Sequence, residues 1–212
     1  MRLLVRPSGP LAGTVRVPGD KSISHRALML SAIAEGTARI EGFLAAEDCL
    51  RTADVLRRLG ARIEPVGGGT LEVHGGGLEG LHAPDGPLDL GNSGTGMRLL
   101  MGLVAGRPFT TTFTGDDSLS RRPMDRVAEP LRLMGARVEG QGEHCLPPVT
   151  VHGGRLRGIE YHPPMASAQV KSAVLLAALS AEGPTTVLEP AASRDHTERM
   201  LAAMGADLTV DG

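Results

Sequence analysis

Apolar positions along this chain switch between two periods, and the order of the switches predicts a repeated arrangement of helices and strands. Ile23, Ala27, Leu30 and Ala34 recur at helical spacing, whereas Val15 and Val17 alternate with polar neighbours as a strand does, and Pro18-Gly19 separates the two. After that helix, which Gly36 is expected to close, Thr37-Ala38-Arg39-Ile40 reads as a strand. Glu47 to Leu59 then reads as a helix stopped by Gly60, and Ala61-Arg62-Ile63-Glu64 as a strand. The same order returns with Ser93 to Val104, Phe109 to Thr114, a helix ending at Gly135, and Ala136 to Glu139. It returns once more with Ser167 to Leu179, Thr185 to Leu188, Asp195 to Met204, and Ala206 to Val210. Leu59-Gly60-Ala61-Arg62, Met134-Gly135-Ala136-Arg137 and Met204-Gly205-Ala206-Asp207 mark a period of about 70 to 75 residues.

Short strands at Leu71 to His74 and Val149 to His152 follow the first two units. The fold class is therefore α/β (α+β), with three βαβαββ-like repeats, the third incomplete, helices largely inside and mixed sheets outside. Residues 2 to 18 read as two further strands ahead of the repeats, Leu3-Leu4-Val5 and Thr14-Val15-Arg16-Val17. Pro130 removes one backbone hydrogen bond from the fourth helix and is expected to kink it.

Composition narrows the functional classes. Aromatic content of 2% without Trp, and a net charge of -2 with both signs interspersed, give no base-stacking platform or basic groove, so no nucleic-acid partner is expected. No stretch approaches the ~20 apolar residues of a membrane span, so a soluble cytoplasmic protein is expected, with no membrane partner. Cys49 and Cys145 lack a metal or redox spacing, and Cys49 shares a helical face with Ala53 and Leu56 as a core residue would. His25, His152, His162 and His196 show no ligand spacing, and no metal is expected. Phosphate-loop, dinucleotide and nucleophile-elbow motifs are absent.

The remaining candidate chemistry lies at helix starts. Lys21, Ser22 and Arg26 crowd the first turn of the first helix, where free N–H groups and the positive dipole end favour an anion. An ordinary serine cap beside two solvated cations would explain that segment equally well. Asn92-Ser93-Gly94-Thr95 and Ser167-Ala168-Gln169 open the corresponding helices of the other repeats, and three-fold packing would bring all three starts together. Arg121-Arg122-Pro123 and Ser193-Arg194-Asp195-His196 add cations where capping alone favours carboxylates. Together these point to a multiply anionic small ligand.

Five ordered motifs then carry a resemblance: Gly19-Asp20-Lys21-Ser22-Ile23-Ser24-His25-Arg26, Gly91-Asn92-Ser93-Gly94-Thr95-Gly96-Met97-Arg98, Arg122-Pro123-Met124, Met165-Ala166-Ser167-Ala168-Gln169-Val170-Lys171-Ser172 and Ser193-Arg194-Asp195-His196-Thr197-Glu198. The set closely resembles the 5-enolpyruvylshikimate-3-phosphate synthases, over about the first half of that family's two-domain protein. The resemblance implies transfer of the enolpyruvyl group of phosphoenolpyruvate to the 5-hydroxyl of shikimate 3-phosphate, with release of phosphate and no cofactor. It implies that Lys21, Ser22, Arg26, Ser167, Ala168, Gln169 and Arg194 hold shikimate 3-phosphate. Lys21, Gly94, Arg122 and Gln169 would face phosphoenolpyruvate, with Lys21 also catalytic. Glyphosate competes with phosphoenolpyruvate in this family, and Gly94 would adjoin it.

The resemblance assigns residues 1–18 to the sheet of a second domain and residues 19–212 to the shikimate-3-phosphate-binding domain. Acidic proton-transfer residues would belong to the second domain, so the chain alone is expected to be inactive and to self-associate through residues 1–18. Met97-Arg98-Leu99-Leu100-Met101 departs from the Met-Arg-Pro pattern of one family branch. The rival enzyme is the UDP-N-acetylglucosamine enolpyruvyl transferase of the same fold, whose opening motif has Lys-Asn where this chain has Lys21-Ser22. The rival class is a non-catalytic phosphate-binding module.

Overall fold

The computed structural model describes residues 2–211; Met1 and Gly212, the outermost residues of the two expected domains, lie outside the described residues. The first unit runs α1 (Lys21–Ile33), β1 (Glu35–Ile40), α2 (Glu47–Arg58), β2 (Arg62–Gly67) and β3 (Thr70–Gly76). The second runs β4 (Leu88–Asp89), α3 (Gly94–Ala105), β5 (Thr110–Thr114), α4 (Asp125–Met134), β6 (Arg137–Gln141) and β7 (Leu146–His152). The third contains β8 (Leu156–Arg157), β9 (Glu160–Tyr161), α5 (Ala168–Ala178), β10 (Ala181–Glu182), β11 (Thr186–Val187) and α6 (His196–Ala203).

The repeat is visible in sheet order. The first sheet is β1-β3-β2 and the second β4-β5-β7-β6, so in both the strand after the hairpin inserts antiparallel between its predecessors. In the third unit β9 pairs parallel with β11 as β4 pairs with β5, and β8 pairs parallel with β10. Gly60, Gly135 and Gly205, which end the second helix of each unit, all have positive φ, a region where a Cβ is strained. Side chains repeat as well. His74 and His152 bond Thr37 and Thr110 across the first two sheets at 3.0 and 3.2 Å, and the guanidinium groups of Arg57 and Arg132 both donate twice to the carbonyls of Ile63 and Val138.

The core lies between the helices and the inner sheet faces. α3 is buried nearly all round and packs most extensively on α5, while Met97, Leu100, Met101 and Val104 are completely buried, as their common face required. Val73 of β3, with Phe113, Val149 and Val151 of β5 and β7, closes the core from the sheets. Cys49 is buried in this core. Pro130 sits inside α4 without ending it, so its missing N–H falls within a continuous helix whose Val127, Ala128 and Leu131 anchor it to the core.

Several expectations are corrected. Residues 2 to 18 form no strand and every one is exposed, because a strand exists only through its ladder and no neighbour among the described residues supplies one. Ala206 to Val210 likewise forms no strand: Ala202 stands where Arg57 and Arg132 clamp the corresponding strands, and no middle strand pairs with it. Gly36 does not close α1, which ends at Ile33 with Ala34 as its cap, and Gly36 belongs to β1. Strands β4, β8, β9 and β10 are too short to show a period in the sequence. No helix of the described residues is long and apolar enough to cross a membrane.

Candidate active site

The first helix start is capped by Asp20, whose carboxylate accepts from the Ile23 N–H at 2.8 Å. Ser22 is therefore not the cap that a minimal reading of this segment assigns it. Its hydroxyl is left to accept from Arg194 Nη1 at 3.3 Å, which joins the approach to α6 to the start of α1. Lys21 is half exposed, and its Nζ rests on Asp48 Oδ2 of α2 at 2.8 Å. An exposed lysine on a flexible stem can turn to a ligand phosphate by giving up one such pair, which is worth little in water.

Arg26 is buried beneath this turn. It is 3% exposed, and its guanidinium donates to Ser22 O at 2.9 Å, Ser172 Oγ of α5 at 2.6 Å and Thr197 Oγ1 of α6 at 2.6 Å. Burial and then the neighbouring Arg194 hold its pKa below the usual arginine value. Arg26 thus ties three helix starts together from beneath, and its charge reinforces the face that Ser22 and Arg194 present.

The second and third helix starts meet through Gln169. Its amide donates to Thr95 Oγ1 at 2.8 Å, and its carbonyl oxygen accepts from Arg98 Nη1 at 2.8 Å. Ser93 caps α3 through Gly96 N at 3.1 Å and Ser167 caps α5 through Val170 N at 3.4 Å, so two of the three starts use serine caps. Ala168 is the first residue of α5, where its N–H is one of the helix's orphan donors. Gly94 is buried: a Cβ there would stand 3.2 Å from both Arg122 Nη1 and Arg98 Nη1. Arg122 in turn is held by Asn92, which it contacts through both the backbone oxygen at 3.3 Å and the side-chain oxygen, and by Ser118 Oγ at 3.2 Å.

All the expected site residues therefore lie on linked helix starts, with Arg26 beneath the surface. Five residues were given no individual role by the sequence reading. Arg98 lies one turn along α3 from Gly94 and is depressed in pKa by burial, then by Arg122 and Arg126, as befits a cation crowded by cations. Asn92 orients Arg122, and Asp48 holds Lys21. Lys171 sits between Glu189 and Glu198, both at 2.6 Å; burial opposes its charge, but the hydrogen bonds it donates to the two carboxylates raise its pKa overall. Glu189 also accepts from the Ser167 N–H at 3.1 Å and from Ser193, so this partly buried pair locks the α5 start to the loop carrying Arg194. Spacing could have flagged Arg98; nothing local signals Glu189.

Beneath α1, His25 is completely buried with Nδ1 2.8 Å from Thr52 Oγ1, and its Nε2 has no partner. Burial lowers its pKa to about 4, with Asp48 opposing the shift and Lys21 and Arg26 adding to it. Away from this face, Glu64, Glu72 and His74 gather on β2 and β3, where Arg62 already donates to Glu64 at 2.9 Å. The helix starts thus present Lys21, Arg122 and Arg194 around exposed dipole ends, backed by Arg26 and Arg98. That arrangement suits a small ligand carrying more than one anionic group.

Comparison with known proteins gives a consistent result. The family model described as "EPSP synthase (3-phosphoshikimate 1-carboxyvinyltransferase)" matches residues 5–212. A 3-phosphoshikimate 1-carboxyvinyltransferase of Synechococcus sp. (strain WH7803) is 60% identical over 210 residues, covering 98% of this chain and 48% of its own length. That of Methylococcus capsulatus is 58% identical over 206 residues, 97% of this chain and 47% of its own. A solved EPSP synthase from Acinetobacter baumannii superposes with a TM-score of 0.91 at 54% identity, covering 94% of this chain and 45% of that one. The chain spans about half the length of the curated relatives it matches.

Proposed function

The chain belongs to the EPSP synthase family, and from that premise we propose that its linked helix starts are the shikimate-3-phosphate side of an enolpyruvyl transfer site. The observation that carries this reading is the pair of bridges Arg194–Ser22 and Gln169–Thr95/Arg98, which gather residues from four distant motifs onto one face. In this reading Arg194 and Ser22 hold the phosphate of shikimate 3-phosphate, reinforced by Arg26 from below. Ser167, Ala168 and Gln169 place the acceptor ring at the α5 start. Arg122 and the backbone at Gly94 take phosphoenolpyruvate, and Lys21 swings from Asp48 to lie between the two anions.

The reaction joins the 5-hydroxyl oxygen to the enolpyruvyl carbon, moves a proton to and from the methylene carbon, and expels phosphate. Fixed cations are required where charge gathers on the phosphate and carboxylate. This face supplies those cations. Asp20, Asp48 and Glu189 are engaged in capping or ion pairing, and we assign the proton-transfer acid to the second domain. We place residues 19–212 as the shikimate-3-phosphate-binding domain and residues 1–18 with the sheet of a second domain. The 60% identity to proteins named 3-phosphoshikimate 1-carboxyvinyltransferase favours this reading over the UDP-N-acetylglucosamine transferase. Calorimetric titration with shikimate 3-phosphate, and separately with UDP-N-acetylglucosamine, tests the reading: binding of the first alone is expected, and binding of the second alone would contradict it.

A further inference from the structure

The loops that deliver Arg122 and Arg194 are anchored in the same way, each by one carboxylate. In the second unit Asp116, two residues beyond β5, accepts from Asn92 Nδ2 at 2.8 Å and from the Leu119 N–H at 2.7 Å. Asn92 lies just ahead of α3 and itself holds Arg122. In the third unit Glu189, two residues beyond β11, accepts from the Ser167 N–H at 3.1 Å and from Ser193 Oγ, which lies 2.8 Å from each carboxylate oxygen. Ser167 caps α5, and Ser193 immediately precedes Arg194. In both units an acid at the end of a strand thus reaches a helix start and the loop that brings an arginine to it.

Glu189 is well placed to act as a fixed point. The Leu188 N–H donates to Tyr161 O at 2.9 Å, so the backbone entering Glu189 is held by the end of the β9–β11 ladder. A partly buried carboxylate needs a counter-charge. Lys171 supplies it at 2.6 Å from one turn along α5, where its own N–H donates to Ser167 O at 3.0 Å, and Glu198 of α6 shares the same cation at 2.6 Å. Beyond Glu189 the chain runs Pro190-Ala191-Ala192-Ser193-Arg194-Asp195, so between the two acids only Ser193 and Arg194 carry polar side chains. The serine is tied to Glu189, which leaves the exposed arginine to face Ser22 at 3.3 Å. Tethering the residue before Arg194 lowers the ordering cost that a ligand must meet when it engages the guanidinium.

We propose that Glu189, held by Lys171, is a positioning residue for the phosphate of the acceptor: it touches no ligand, but fixes Arg194 and the α5 start at one separation. The proposal rests on the shikimate-3-phosphate reading above and deepens it. Because Glu189 acts through Arg194, its contribution should largely vanish when Arg194 is absent.

A double-mutant cycle read by calorimetric titration of shikimate 3-phosphate into the chain tests this. Glu189→Ala should weaken binding by at least about fivefold with unchanged circular dichroism, yet cost about twofold or less when added to Arg194→Ala. Glu189→Gln, whose amide oxygen can still accept from Ser167 and Ser193, should lose less than Glu189→Ala. Should Glu189→Ala fail to fold, Lys171→Met, which strips the carboxylate of its counter-charge, takes its place in the cycle with the same expectation. Binding by Glu189→Ala at the wild-type affinity, losses that add in full to that of Arg194→Ala, or equal losses in the Gln and Ala variants would overturn the inference and leave the site reading standing. A wild-type chain that does not bind shikimate 3-phosphate would overturn the site reading and this inference with it.

Discussion

At Gly94 a single hydrogen atom separates the α3 start from two guanidinium groups. A methyl there would meet Arg122 and Arg98 at 3.2 Å, so both must retreat by a few tenths of an ångström and the anion pocket narrows. Gly94→Ala, in the chain complemented with a relative's second half, should therefore weaken glyphosate about tenfold or more and the shorter phosphoenolpyruvate less; equal inhibition constants in a competition assay would reduce Gly94 to a turn residue. His25 governs a different property. Its folded pKa of about 4 lies below the ordinary 6.5, so the unfolded chain binds the extra proton and the fold loses stability as pH falls from about 6.5 to about 4. The loss approaches ~3 kcal/mol at the acid end. Urea unfolding of wild type and His25→Gln at pH 7 and pH 4.5 should show a smaller acid loss in the variant, and parallel losses would contradict the assignment. The resemblance already placed Gly94 beside glyphosate, but the two guanidinium groups that a methyl would meet, and the burial of His25, were not legible in the sequence, because both depend on what lies across the helix rather than along it.

Among the elements, α1, α5 and α6 are joined through one buried cation. Removing Arg26 leaves Ser172 and Thr197 facing a void, so Arg26→Ala should cost about 2 to 4 kcal/mol of stability as well as binding. Arg194 is exposed and its loss should cost less than ~0.5 kcal/mol of stability, yet it should weaken shikimate 3-phosphate at least tenfold. Thermal unfolding beside titration separates the two, and identical profiles would mean that Arg26 is not the strut described. The helices were legible in the sequence because each carries its own 3.6-residue pattern and its own glycine or serine signals, so α2, for example, falls within a residue of its expected bounds. Segments 14–17 and 206–210 alternate as strands do, yet neither is a strand among the described residues. Alternation shows what a segment can pair with, but the partner lies elsewhere and local pattern does not report it.

At the scale of the whole molecule, three-fold repetition is what turns separate caps into one site. The repeated Gly60, Gly135 and Gly205 stops were enough to place the first helix of each unit in register, and the starts at Lys21, Gly94 and Ala168 followed. What stayed hidden were the cross-links from segments outside the motifs, such as Glu189 beneath Ser167 and Asp48 beside Lys21. With the proton-transfer acid assigned to the second domain, the chain alone should release no phosphate from phosphoenolpyruvate and shikimate 3-phosphate, and a coupled phosphate assay checks this. The most direct test of the central claim is calorimetric titration of shikimate 3-phosphate into the chain and into Arg194→Ala and Gln169→Ala. The face described here predicts one weak site per chain whose affinity falls at least tenfold in Arg194→Ala and also declines in Gln169→Ala; an absence of binding, or binding that both variants leave unchanged, would contradict it.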